Sequence, residues 1–173
     1  MRSITFVFLF IGVFAFGQES ENGDETTRKF GLSASIQSDQ FGILMPFWVS
    51  EKSALVPSFQ LNFAETVGLD LGFGLSFRQY LREGKMRPYL APGFGVLVAI
   101  PDKSGSERED LPNPVDFVFG FGVGGEYFFS DYFSAGVQIG LNGAVADSDS
   151  NRFGNPGGFN LNTASSVLVN VYF

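Results

Sequence analysis

The chain has 173 residues, a formal net charge of -7, 22 Phe and 22 Gly, and neither Cys nor His. The acidic balance excludes the basic footprint of a nucleic-acid binder, so no nucleic-acid partner is expected. Without Cys there is no disulfide framework, thiol chemistry or lipid-modified cysteine, and without His the commonest general base and metal ligand are missing.

Residues 1–17 read as a secretory signal peptide. Arg2 supplies the positive start, Ile4 to Phe16 the apolar stretch, and Ala15 and Gly17 the small residues before cleavage. The stretch is short of the roughly 20 residues of a membrane helix. Residues 18–28 are polar, acidic and aperiodic, and read as a disordered lead-in. The barrel domain is expected over 29–173.

From there the chain alternates apolar with small or polar residues, the period of a strand with two unlike faces. Strands are predicted over Lys29–Ser38, Phe41–Ser50, Ser53–Ala64 and Val67–Tyr80. The last of these is the clearest: Val67, Leu69, Leu71, Phe73, Leu75 and Phe77 alternate with Gly68, Asp70, Gly72, Gly74, Ser76 and Arg78. Further strands are predicted over Arg87–Ile100, Val115–Phe129, Tyr132–Asn142 and Leu161–Phe173, with long loops at Pro101–Pro114 and Gly143–Asn160. Pro46, Pro57 and Pro92 fall inside strands. A closed barrel has no edge to shelter them, so each predicts a bulge or a non-bonded position.

Eight strands joined by hairpins predict an all-β, antiparallel, up-and-down transmembrane β-barrel. Short turns at Ser50–Lys52, Arg82–Lys85 and Ser130–Asp131 all fall at one end, and both long loops at the other, the asymmetry of membrane barrels. Bulk decides which face is outside. An eight-stranded barrel has room only for modest side chains, so the glycine-rich row suits the interior and the Phe-rich row the lipid. The opposite arrangement, a soluble exported lipid-binding barrel, is the alternative. Asp70, Arg78, Asp116 and Glu126 then become lumen charges. Arg78 and Glu126 are predicted to pair near the short-turn end, and Asp70 and Asp116 to lie nearer the long loops. Trp48, the sole tryptophan, has inward parity, but a bulge at Pro46 would turn it out into an aromatic girdle.

The signal peptide, the strand pattern, the segment Gly122–Phe133 and the terminal Phe173 resemble the small outer-membrane barrels of Gram-negative bacteria, the OmpX-like and OmpW-like porin-family proteins. The resemblance implies outer-membrane lipid and lipopolysaccharide as surroundings. It also implies recognition of the row Val167, Val169, Val171 and Phe173 by the barrel-assembly machinery. Ending at Phe173, the chain is expected to lack the peptidoglycan-binding domain of OmpA-type proteins. Relatives with catalytic activity use histidine, which is absent here, so no enzyme and no cofactor are expected. Asp147, Asp149 and Asn151 have the spacing that opens a calcium loop. Arg152 stands where glycine is needed and no glutamate closes it, so a solvated loop is the simpler expectation. The expected role is structural or surface-interacting with a plugged lumen; a narrow channel for ions or small apolar molecules is the alternative.

Overall fold

The computed structural model describes residues 29–37, 40–64, 68–102 and 112–173. The signal peptide, the lead-in, residues 38–39 and 65–67, and the body of the first long loop lie outside them.

Nine strand segments follow in order: β1 (Gly31–Gln37), β2 (Gln40–Leu44), β3 (Phe47–Ser50), β4 (Ser53–Ala64), β5 (Gly68–Tyr80), β6 (Met86–Pro101), β7 (Val115–Phe128), β8 (Phe133–Val145) and β9 (Phe159–Tyr172). Each pairs antiparallel with its neighbours, β1 closes on β9, and β2 also pairs with β4. The sheet therefore has no free edge. β2 and β3 are one barrel strand, which makes this a closed, eight-stranded, up-and-down barrel.

Proline chemistry explains the break between β2 and β3. Pro46 has no N–H to give to the ladder, yet the register runs on. Leu44 faces Ser58 and Phe47 faces Leu55, three residues on and three back. The flanking bonds persist: Met45 N donates to the Pro57 carbonyl (2.9 Å) and Gly31 N to the Pro46 carbonyl (2.8 Å). Of the two outcomes expected at Pro46, a bulge does not form there, and the irregularity falls after Trp48. Registers also continue across Pro57 and Pro92. Trp48 accordingly keeps its inward parity and stacks on Tyr80, with ring centroids 4.8 Å apart. It is not part of an outer girdle.

The other departures are at strand ends. β8 runs to Val145 and β9 starts at Phe159, so the second long loop is shorter than its sequence suggests. Gly143 and Ala144 resemble loop residues, but the facing strands take them into the ladder through Phe119 and Val118.

The two faces separate as alternation demands. Phe73, Phe94, Phe117, Phe119 and Phe121 stand exposed on the outer wall, as do Val137, Ile139, Leu141, Leu161 and Val167. Arg78, Asp116 and Glu126 are buried inside. The apolar-inside arrangement of a soluble lipid carrier is thus not the one adopted. Inside, alternate glycines let side chains from the next strand lie flat. A methyl group on Gly72 would run into Gln60, one on Gly120 into Asn142, and one on Gly124 into the Tyr89 ring. The lumen is not uniformly polar, however. Towards the short-turn end it is packed by Ala54, Val56, Tyr80, Tyr89, Ala91 and Leu168, with Leu44 and Trp48 against them.

Candidate functional site: two polar clusters and the space between

The interior chemistry is concentrated at two levels. The lower cluster surrounds Glu126, on β7 near the short turns, whose side chain is fully buried. Its Oε1 accepts from the Tyr172 hydroxyl (2.6 Å), from Asn170 Nδ2 (3.1 Å) and from the Ser134 hydroxyl. Its Oε2 accepts from the Tyr80 hydroxyl (2.7 Å) and lies 3.5 Å from Arg78 Nη1. Hydrogen bonds to an ionised carboxylate are roughly twice as strong as neutral ones, and a charge removed from water needs that support. Arg78 is less well served. Its guanidinium sits over the Tyr89 ring, 5.0 Å from the centroid. Nε and Nη1 have no hydrogen-bond partner, so the contact with Glu126 shares charge without hydrogen-bond geometry. Below this cluster Phe128 stacks on Tyr172, and Arg87 lies 4.8 Å over Phe128, closing the short-turn end.

The upper cluster surrounds Asp116, also fully buried, at the long-loop end of β7. The loop after β8 folds inward onto it. Asp116 Oδ1 accepts from Asp147 N (2.9 Å), and Oδ2 accepts from the Ser150 hydroxyl (2.8 Å) and from Arg152 Nε (3.0 Å). Arg152 Nη2 reaches across to Asp70 Oδ1 at 3.0 Å. One loop guanidinium therefore ties β5 to β7 over the mouth.

The four lumen charges read from parity thus sort into these levels, Arg78 with Glu126 below and Asp70 with Asp116 above. Tyr80, Ser134, Asn170 and Tyr172 were not singled out from the sequence, although each shares the inward parity of its strand. Arg152 carried no signal, because a loop has no period to read.

Asp147, Asp149 and Asn151 lie in the inward-folded loop. Asp147 Oδ1 accepts from Asp149 N (2.9 Å) and Oδ2 from Val115 N (3.4 Å), so its carboxylate is engaged by backbone. Among the described residues no three acidic side chains gather as a metal site. These N–H groups hold the Asp147 carboxyl below its ordinary value of 3.8. A lowered carboxylate pKa stabilises above the unfolded value and is lost as pH falls through the folded one. Loop order is therefore expected to be full above about pH 3.8 and to fade on further acidification. Protease nicking between Ala146 and Gly158 across a pH series checks this. Arg152→Ala is expected to raise nicking of the same segment at neutral pH, leaving the barrel folded. An unchanged cleavage rate would count against the tie.

The outward row Val167, Val169 and Val171 ends at Phe173, whose side chain is exposed and whose N–H donates to the Phe30 carbonyl (2.9 Å). Between the two clusters lies a partly open space of about 620 Å³, bounded by Arg78 at one end and by Arg152 and Phe153 at the other.

No family model matches the sequence, and no curated protein matches it. Solved structures do. The N-terminal β-barrel domain of Pseudomonas aeruginosa OprF aligns with a TM-score of 0.53 at 14% identity, covering 83% of this chain and 95% of that one. Neisserial surface protein A (NspA) aligns with a TM-score of 0.51 at 14% identity, covering 83% and 93%. The fold is that of these small β-barrels. At this identity the likeness extends to architecture alone.

Proposed function

We propose that the chain is an integral outer-membrane barrel with a structural or surface-interaction role and a lumen closed to through-flow. The observation that carries this is the outer wall. Phe94 is 65% and Ile139 67% exposed, within rows of Phe, Leu, Ile and Val on every side. A soluble monomer rarely exposes an apolar patch beyond a few hundred Å², and here apolar rows run around the barrel, interrupted on β9 by the exposed Thr163 and Ser165. The interior supports the same reading, because buried charges inside an apolar shell suit a polypeptide surrounded by lipid. OprF and NspA share the architecture.

Closure to through-flow is supported by the Glu126 cluster with its aromatic floor; above it the Arg152 tie narrows the mouth of a space that stays partly open. The long-loop end is the surface for lipopolysaccharide and external partners, and the row ending at Phe173 the segment for the assembly machinery. Enzymatic activity forms no part of this reading.

Fractionation with gel migration before and after boiling tests it. Recovery in the outer membrane with heat-dependent migration is expected, together with no defined conductance steps in planar bilayers. Recovery in the soluble fraction would overturn the membrane assignment, and regular steps would overturn closure.

A further inference from the structure

We propose that the space between Arg78 and Arg152 is a binding site for a neutral, hydroxyl-rich solute, a sugar or polyol, with an acceptor oxygen on the Arg78 guanidinium. The inference does not rest on where the barrel resides.

Three observations carry it. The first is unused hydrogen-bonding capacity. Arg78 is 1% exposed and lines the space, yet Nε and Nη1 donate to nothing. Buried donors without acceptors are costly, more so on a charged group, and an occupant supplying oxygen removes that cost. Glu126 cannot do so, because its oxygens are already engaged by two tyrosines, Ser134 and Asn170.

The second is the wall. Gln60, Gln138, Asn142, Ser58, Ser76 and Ser166 line the space. Amides and hydroxyls both donate and accept, which matches a hydroxyl-bearing ligand and no single charge type. The glycines of β5, β6 and β7 keep the space open, and its volume of about 620 Å³ lies within the range of small-ligand sites.

The third is the charge at the two ends. Arg78 already has a counter-charge 3.5 Å away in Glu126, so the floor lacks acceptors and not negative charge. At the mouth, Asp70 and Asp116 face a single guanidinium, Arg152, which opposes entry of an anion. A cation would meet the free donors of Arg78. A neutral oxygen-rich molecule satisfies both ends.

The test uses the full barrel folded in amine-oxide micelles, which carry no sugar headgroup, and equilibrium dialysis against radiolabelled glucose, sucrose and gluconate. Saturable uptake of one equivalent of a neutral sugar is expected, with gluconate weaker. Ser166→Phe fills the space from β9 at a residue outside the hydrogen bonds around Glu126, and Arg78→Met removes the donors. Each is expected to weaken sugar binding about tenfold or more while heat-dependent migration persists. Should Arg78→Met fail to fold, Ser166→Phe decides alone. Preferential gluconate uptake, sugar binding undiminished in Ser166→Phe, or no saturable uptake of any probe would each overturn the proposal.

Discussion

Glu126→Leu is expected to cost the folded barrel about 3–5 kcal/mol, the usual penalty for removing one partner of a buried ion pair. The reason is what remains behind. Arg78 would keep its charge in a site that is 1% exposed, with its counter-ion gone. The hydroxyls of Tyr80 and Tyr172 would lose their acceptor at the same time. Urea unfolding in lipid vesicles, followed through Trp48, measures the loss, since that residue is the only tryptophan and stacks on Tyr80. Glu126→Gln should fall between wild type and Leu, because an amide oxygen still accepts while the charge is lost. The Arg78→Met, Glu126→Leu double variant should recover part of the deficit, because no unpaired charge remains. Recovery should stay incomplete while the tyrosines lack an acceptor. A single-variant loss under about 1 kcal/mol, the scale of an exposed pair, would mean that water screens the cluster.

The legibility of this molecule follows the period of its strands. Alternation over residues 67–80 places Arg78 inside from sequence alone, and the same reasoning places Asp116 and Glu126 inside on β7. What alternation cannot supply is neighbourhood. Tyr172 and Asn170 lie near the end of the sequence, far from Glu126, and meet it because β9 packs beside β8 and β8 beside β7. Packing also decided the prolines. Pro46 left open a bulge that would turn Trp48 outward against its inward parity, but the bonds of Met45 and Gly31 bridge the missing N–H and hold the register. At the mouth the limit is of another kind. Asp147, Ser150 and Arg152 lie in a stretch with no period, and their common target, Asp116, is on a different hairpin. Read by spacing alone, Asp147, Asp149 and Asn151 in the same stretch suggest a broken calcium loop. Arg152, which spoils that motif, is the residue that joins Asp70 to Asp116.

The outer wall yields the second large effect, one whose size depends on the surrounding solvent. Ile139 stands midway along β8 and points outward, whereas Val145 ends the same strand on the same face. In water, an exposed Ile→Arg change away from any special feature usually alters stability by less than about 0.5 kcal/mol. In a bilayer, arginine on the lipid face costs about 2–4 kcal/mol at the midplane and about 0–1 near the interfaces. Ile139→Arg is therefore expected to destabilise the barrel in vesicles by about 2–4 kcal/mol, and Val145→Arg by about 1 kcal/mol or less. The gradient between the two is the informative quantity, because a general intolerance of arginine would affect both sites alike. Equal and small penalties would mean that the apolar wall meets water or protein, and the search would turn to what covers it. A steep fall from Ile139 to Val145 would place the middle of β8 in hydrocarbon. The orientation of all eight barrel strands then follows, since every register ties its neighbour to the same depth.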